Sequence, residues 1–147
     1  MSELAVNKRA YFDYEILGTY WAGIVLFGFE VKAAKKGMVN LTGSYVVIRG
    51  EKAWLLNATI SPYQAGNTPK DYDPMRSRKL LLKKAELSEL IGFSSKQGLT
   101  LVPLRLYNKR NLVKVLIGVG KHKKKHDKRE TIKKRDTERE VQRTLKN

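Results

Sequence analysis

Residues 44–60, SYVVIRGEKAWLLNATI, are the stretch that decides the fold. In its first half the side chains alternate, with Tyr45, Val47 and Arg49 on one face. A turn at residues 50–52 follows, and the second half places apolar side chains on one face: Trp54, Leu56, Ala58 and Ile60. A period of two on both arms predicts an antiparallel hairpin with one buried face.

The segments on either side predict further strands. Residues 11–26, YFDYEILGTYWAGIVL, are aromatic and β-branched and predict two strands, with Gly18 near a turn and Gly23 at a bend. Residues 99–107 and 112–120 predict a second hairpin, in which Pro103 indicates an edge position or a bulge. The second arm of this hairpin puts four apolar residues on one face: Val113, Val115, Ile117 and Val119.

Two helices and a loop complete the body of the chain, after a polar lead over residues 1–10. FEVKAAKK (29–36) predicts a short helix that stops at Gly37, and residues 61–74 are rich in turn formers. A stripe of leucines and isoleucine predicts a second helix over residues 75–91. About six short strands with interposed helices indicate a mainly β chain, built as a small antiparallel barrel or sandwich.

The last 27 residues, 121–147, form a basic arm with twelve Lys and Arg against five Asp and Glu and almost no apolar residues. Such a segment cannot offset its ordering entropy by burial, so we expect it to be disordered when free and helical on a polyanion. A merely disordered tail is the alternative. The predicted domains are a body, 1–120, and this tail. The net charge of +16 favours nucleic acid or an anionic membrane as a partner, and the composition of the arm favours RNA.

Several classes of function find no support in the sequence. The chain has no cysteine, and its only histidines, His122 and His126, lie in the arm, so we expect no enzyme and no cofactor. The two histidines and Asp127 could form half a metal site, but the surrounding lysines would repel a cation. We find neither a membrane-spanning run nor a signal peptide, and we expect a cytoplasmic protein with no membrane partner.

Two basic clusters in the body have two interpretations each. Residues 75–79, MRSRK, are predicted to begin the second helix, where basic groups oppose the helix dipole. They indicate either a docking site for an anionic partner or a solvated helix face. The same alternatives apply to the cluster on the first helix: Lys32, Lys35 and Lys36.

Seven segments that follow one another along nearly the whole chain carry a resemblance to a known family. They are NKRAYFDYEI (7–16), AGIVLFGFEVK (22–32), SYVVIRGEKAWLLNATISPY (44–63), DPMRSRKLLLKKAEL (73–87), GLTLVPLRLY (98–107), KVLIGVGK (114–121) and HDKRETIKKRD (126–136). Together they resemble small protein B, the family of tmRNA-binding (SsrA-binding) proteins of bacterial ribosome rescue.

The resemblance implies a fold and a mode of action. The fold would be an oligonucleotide-binding-type barrel with two or three flanking helices. The body would grip the tRNA-like domain of tmRNA and stand in for its missing anticodon arm. The tail would enter the empty mRNA channel of a stalled small ribosomal subunit, next to the rRNA of the decoding centre, and the free protein would be a monomer.

The resemblance also implies site residues. On the tmRNA side, as contacts or as their support, it places Glu30, Lys32, Arg76, Arg78, Lys79, Leu81 and Lys114. On the decoding side it places Lys123, Lys124, His126, Asp127, Lys128 and Arg129. His126 would stack on a ribosomal base, and Asp127 could cap the tail helix instead of contacting RNA.

Three positions depart from the family pattern. Trp21 stands where the family usually has an acid, and it could stack on a base or cover the barrel. His122 replaces the glycine that precedes two lysines ahead of the DKR motif, and Thr137 replaces an aromatic residue. The competing prediction from another class is a structural ribosomal or general single-strand RNA-binding barrel without selectivity for tmRNA.

Overall fold

The computed structural model describes residues 2–124, 128–129 and 132, apart from the side chain of Ala65. Within them the elements follow in the order β1 (Ser2–Val6), α1 (Lys8–Asp13), β2 (Tyr14–Ile24), α2 (Gly28–Lys35), β3 (Val39–Asn40), β4 (Tyr45–Arg49), β5 (Lys52–Leu56), β6 (Thr59–Ile60), a 3-10 turn (Ala65–Asn67), β7 (Arg78–Leu81), α3 (Lys84–Ser94), β8 (Leu99–Lys109) and β9 (Leu112–His122).

Six of the strands pair into a closed antiparallel ring. The order is β8-β4-β5-β7-β2-β9, and β9 pairs again with β8. Strand β1 adds to β8 outside the ring, while β3 and β6 form a separate pair. Closing a sheet on itself removes its free edges. The predicted mainly β class is therefore confirmed, as is the antiparallel barrel of about six strands with three helices.

The core fills the inside of this ring. The four apolar residues predicted to share one face of β9 are all buried, which confirms that they share a face: Val113, Val115, Ile117 and Val119. Pro103 lies at a bulge of β8, where the pairing with β9 shifts register between Pro103 and Arg105, as the sequence indicated. Strand β9 runs through His122, two residues beyond the predicted boundary of the body at residue 120.

The N-terminal segment is more ordered than the predicted polar lead. Strand β1 pairs with β8, and Asn7 starts α1 because its side chain accepts a hydrogen bond from the Ala10 N–H at 3.2 Å. The Asn7 side chain also donates to the Pro103 carbonyl at 2.9 Å. Residues 14–24 form one strand instead of the two predicted, since Gly18 lies at a bulge within β2 and not at a turn.

The hairpin at 44–60 is present, but the four apolar residues predicted to share one face of its second arm do not lie in one environment. Ala53 and Leu55 point inward and are buried, whereas Trp54 and Leu56 are only partly buried. The alternation also breaks after β5, because Asn57 adopts a φ of 64°. This left-handed residue, which asparagine tolerates well, brings Ala58 back to the buried side three positions after Leu55.

The predicted second helix over residues 75–91 is wrong in its first half. Residues 78–81 form strand β7, and the helix α3 begins only at Lys84. The predicted helical stripe joined Leu80, which lies in β7, to Leu87 and Ile91, which lie in α3. Residues 78–81 form a strand because they fill the position between β5 and β2 in the ring. The first helix, in contrast, is confirmed as α2, with Gly37 at a φ of 76° after its end.

Candidate nucleic-acid interface

One row of residues crosses four adjacent strands on the outer face of the ring. Leu81 of β7 lies opposite Gly23 of β2, and Gly23 lies opposite Lys114 of β9. Lys114 in turn lies opposite Tyr107 of β8. Directly paired residues of an antiparallel sheet share a face. We call Leu81, Gly23, Lys114 and Tyr107 the outer row. It brings together two predicted site residues, Leu81 and Lys114, that are far apart in the sequence.

The exposure of the row agrees with this register. Leu81 is 52% exposed, although its neighbour Leu80 is 3% exposed and belongs to the core. Lys79 precedes Leu81 by two residues and so points to the same face, opposite Trp54 of β5. Lys79 therefore lies two positions from Leu81 along β7, and Lys114 lies across Gly23 two strands away. Both lysines are partly exposed on the same face as the apolar Leu81.

Trp21 lies next to the outer row on β2. Its side chain is 40% exposed, and its ring centroid is 5.1 Å from that of Tyr107, with the planes at 61°. Trp21 and Gly23 are two positions apart and share the outer face. Gly23 contributes no side chain, and the Leu81 side chain lies over it: a Cβ added at Gly23 would be 3.4 Å from the Leu81 Cβ.

A second group of predicted site residues is buried below the loop that leads into β7. The side chains of Glu30 and Arg78 are both 0% exposed, and they form an ion pair with a closest distance of 2.8 Å. Arg78 also donates to the Ala58 carbonyl at 2.7 Å and the Pro74 carbonyl at 2.9 Å. A buried arginine is tolerated because its donors are met by a carboxylate and by backbone carbonyls.

Glu30 collects further partners from the same region. Its carboxylate accepts hydrogen bonds from Arg76 and from the Phe27 N–H, the latter at 2.8 Å, and lies 2.9 Å from the hydroxyl of Tyr72. Burial alone would raise the pKa of Glu30, but the hydrogen bonds from Arg76, Phe27 and Arg78 outweigh it and hold that pKa below the ordinary value. Burial, followed by the bond to Glu30, raises the pKa of Tyr72 to about 12.

This network orients side chains at the surface. The Arg76 side chain is 24% exposed, and its guanidinium carbon lies 4.1 Å from the centre of the ring of Phe27, which is itself 51% exposed. Lys32, on the last turn of the same helix as Glu30, is exposed. Glu30 and Arg78 are thus supports, while Arg76 and Lys32 are accessible to a ligand.

The base of the tail contacts the end of α1. The Lys123 N–H donates to the Asp13 carbonyl at 2.8 Å, and the ammonium of Lys128 lies 3.1 Å from the Asp13 carboxylate. Burial would raise the pKa of Asp13, but bonds from Lys128 and Arg9 outweigh it and lower that pKa. Lys124 and Arg129 are exposed. His126 and Asp127 lie outside the described residues.

Four of these functional candidates were missed by reasoning from the sequence: Gly23, Tyr107, Tyr72 and Asp13. Gly23 and Tyr107 join the outer row only through strand register, which no local pattern reveals. Tyr72 lies in the predicted loop, where a bulky aromatic residue among Asp and Pro residues was an available signal for an anchoring contact. Asp13 has no local pattern that marks it, because its partner Lys128 is 115 positions away.

Metal sites and membrane-spanning helices are two further features that the described residues allow us to assess. Among them, no three His, Cys, Asp or Glu side chains are grouped so that they could hold a metal ion. None of the helices within the described part of the chain has the length and apolar character needed to cross a membrane.

Comparison with protein families identifies a match along almost the entire chain. The family model described as "SmpB protein" matches residues 4–147. The SsrA-binding protein of Lacticaseibacillus casei (strain BL23) is 54% identical over 143 residues, which are 97% of this chain and 90% of that protein. The SsrA-binding protein of Gloeothece citriformis (strain PCC 7424) is 52% identical over 140 residues, 95% of this chain and 90% of that protein.

Comparison with solved structures agrees. A chain of the structure "tmRNA-SmpB: a journey to the center of the bacterial ribosome" superposes with a TM-score of 0.70 at 43% identity, covering 89% of this chain and 95% of that chain. Sequence and fold agree on one assignment: the chain belongs to the SmpB family.

Proposed function

We propose that this protein binds tmRNA and serves in the rescue of stalled bacterial ribosomes by trans-translation. The observation that carries the proposal is membership of the SmpB family over residues 4–147, with relatives that are named for binding SsrA. The net charge of +16 suits a protein that binds tmRNA and the rRNA of the small ribosomal subunit. The protein acts as a binding factor in the cytoplasm and not as a catalyst.

The barrel supplies the tmRNA-binding surface in this proposal. Lys79 and Lys114 contact backbone phosphates of the tRNA-like domain, and the exposed Leu81 on the same face packs against a sugar or base. The buried pair of Glu30 and Arg78 fixes the loop that presents Arg76. The body would then occupy the place of the anticodon arm that the tRNA-like domain lacks.

The tail supplies the ribosomal contact. Residues 121–147 enter the empty mRNA channel of the small subunit, become helical there and report that no message is present. The contacts at the decoding centre come from Lys123, Lys124, His126, Asp127, Lys128 and Arg129. The contact of Asp13 with the base of the tail supports a defined exit direction from the barrel.

A competition assay tests the proposal against the alternative of an unselective RNA-binding barrel. The labelled tRNA-like domain of tmRNA is bound to the full-length protein at fixed physiological salt, because affinities at different salt concentrations cannot be compared. Unlabelled tmRNA should displace it at a concentration at least about tenfold lower than an unrelated structured RNA of equal length does. Equal displacement by the two RNAs would favour the unselective barrel.

A further inference from the structure

Trp21 forms an exposed aromatic surface together with Tyr107. The indole is 40% exposed and meets the phenol ring edge to face, with a centroid distance of 5.1 Å. In the pairing of β2 with β9, Trp21 lies opposite Leu116, and Leu116 lies opposite Arg105 of β8. The indole is therefore supported on one side by strands of the barrel and is open on the other.

The surroundings of this pair are basic. Lys114 lies directly opposite Tyr107 and opposite Gly23, two positions from Trp21 on β2. Arg105, one row away, donates to the Tyr11 hydroxyl at 3.0 Å and forms an ion pair with Glu3 at 2.6 Å. Glu3 of β1 lies directly opposite Tyr107, but its charge is balanced by this ion pair with Arg105. Lys114 then gives the open side of the aromatic pair a positive charge.

The geometry points to a ligand: we propose that Trp21 and Tyr107 form a stacking platform for one unpaired nucleobase, whose flanking phosphate is bound by Lys114. An apolar protein partner would leave the Lys114 ammonium without a counter-charge, whereas a nucleotide matches both the aromatic face and the cation. Stacking on aromatic side chains is a principal means of binding unpaired bases in RNA. This inference rests on the proposed function, since it places one base of the bound RNA on this platform.

Tryptophan fluorescence reports the contact directly. The chain has two tryptophans, so Trp54→Phe leaves Trp21 as the only one. We titrate this variant with the transcript of the tRNA-like domain of tmRNA and expect quenching of Trp21 that saturates together with binding. Saturated binding without any change in Trp21 emission would overturn the platform.

Affinity measurements separate stacking from charge. Trp21→Leu should weaken binding of the same transcript at least about fivefold, from the usual contribution of one stacked base. The salt dependence of binding by Trp21→Leu should equal that of the parent, because no cation is removed.

Two further variants test the aromatic character of the platform. Trp21→Phe should keep most of the parental affinity. Adding Tyr107→Leu to Trp21→Leu should cause little further loss, because the two rings act together. Parent-like affinity of Trp21→Leu would contradict the inference.

Leu17→Ala is the matched control. Leu17 is an exposed apolar residue of the same strand, 53% exposed, but it lines a groove against Phe93 instead of the outer row. Its removal should leave RNA affinity unchanged, and an equal loss for Leu17→Ala and Trp21→Leu would contradict a specific platform. Failure of the parent to prefer tmRNA over unrelated RNA would instead overturn the proposed function, so the two failures are distinguishable.

Discussion

Glu30 of α2 and Arg78 of β7 form a fully buried ion pair in which one carboxylate oxygen accepts two hydrogen bonds from the guanidinium, at 3.0 and 2.8 Å. The pair connects the helix that carries Lys32 to the strand that carries Lys79 and Leu81. It therefore places two parts of the proposed interface relative to each other without itself being accessible to RNA.

Replacing one partner of this pair should destabilise the fold. Glu30→Gln leaves the buried Arg78 without a counter-charge, and we expect a loss of about 3 kcal/mol in the free energy of unfolding, measured with urea. Glu89→Gln is the control, because Glu89 is exposed and accepts a hydrogen bond from the Tyr20 hydroxyl at 2.6 Å. Its loss should be below about 1 kcal/mol. Equal stability of Glu30→Gln and the parent would show that the pair contributes nothing.

The same pair predicts a pH dependence. The folded-state pKa of Glu30 is lowered, so its ionised form stabilises the protein above the ordinary pKa of 4.5, and this contribution is lost as the pH falls through the lower folded value. The stability gap between the parent and Glu30→Gln should accordingly be constant near neutral pH and shrink in acid. Urea unfolding of both proteins from about pH 7 to about pH 3, a range that brackets the ordinary pKa, measures this gap. A gap that persists unchanged in acid would contradict the assignment of the shift to Glu30.

The two lysines on the same face as Leu81 should each account for one phosphate contact. Lys79→Ala and Lys114→Ala should each lower the slope of log affinity for tmRNA against log salt by about 1, with folding unaffected. Lys52→Ala and Lys96→Ala remove the same charge from exposed positions off the outer row and serve as controls. Identical slopes for all four variants would mean that only overall charge matters and that the outer row is not the interface.

The contact of Asp13 with the base of the tail should protect that region from proteolysis. Asp13→Asn removes the ion pair between Asp13 and Lys128, so trypsin should cleave at residues 123–129 severalfold faster than in the parent. Mass spectrometry of the fragments over time measures the rate. Asp71→Asn, an exposed loop position, should cleave at the parental rate. Cleavage of Asp13→Asn no faster than the parent would show that this contact does not order the tail base.

The sequence predicted those elements whose pattern is local. The two hairpins and α2 follow from alternation and from a short amphipathic segment ended by Gly37, and the structure confirms them. The strand at residues 78–81 was missed because an uninterrupted leucine run fits a helix and a strand equally well. Only its two strand partners, β2 and β5, decide in favour of the strand.

The candidate site was predictable in composition but not in arrangement. The resemblance implied one group of seven residues: Glu30, Lys32, Arg76, Arg78, Lys79, Leu81 and Lys114. The structure divides this group between the outer face of the ring and the network around the buried Glu30 and Arg78. Charge alone does not indicate which of the two arginines in residues 76–78, RSR, is buried. That depends on the distant Glu30 and on Tyr72, which reach Arg78 only after the chain has folded.

Tagging on stalled ribosomes tests the central claim most directly. In a reconstituted translation system with tmRNA and a message that lacks a stop codon, the full-length protein should support addition of the tmRNA-encoded tag to the nascent chain. A chain ending at Lys124 keeps β9 and the bond from the Lys123 N–H to Asp13. It should bind tmRNA as the parent does but give no tagging. Absence of tagging with the full-length protein, or parental tagging with the truncated chain, would contradict the account.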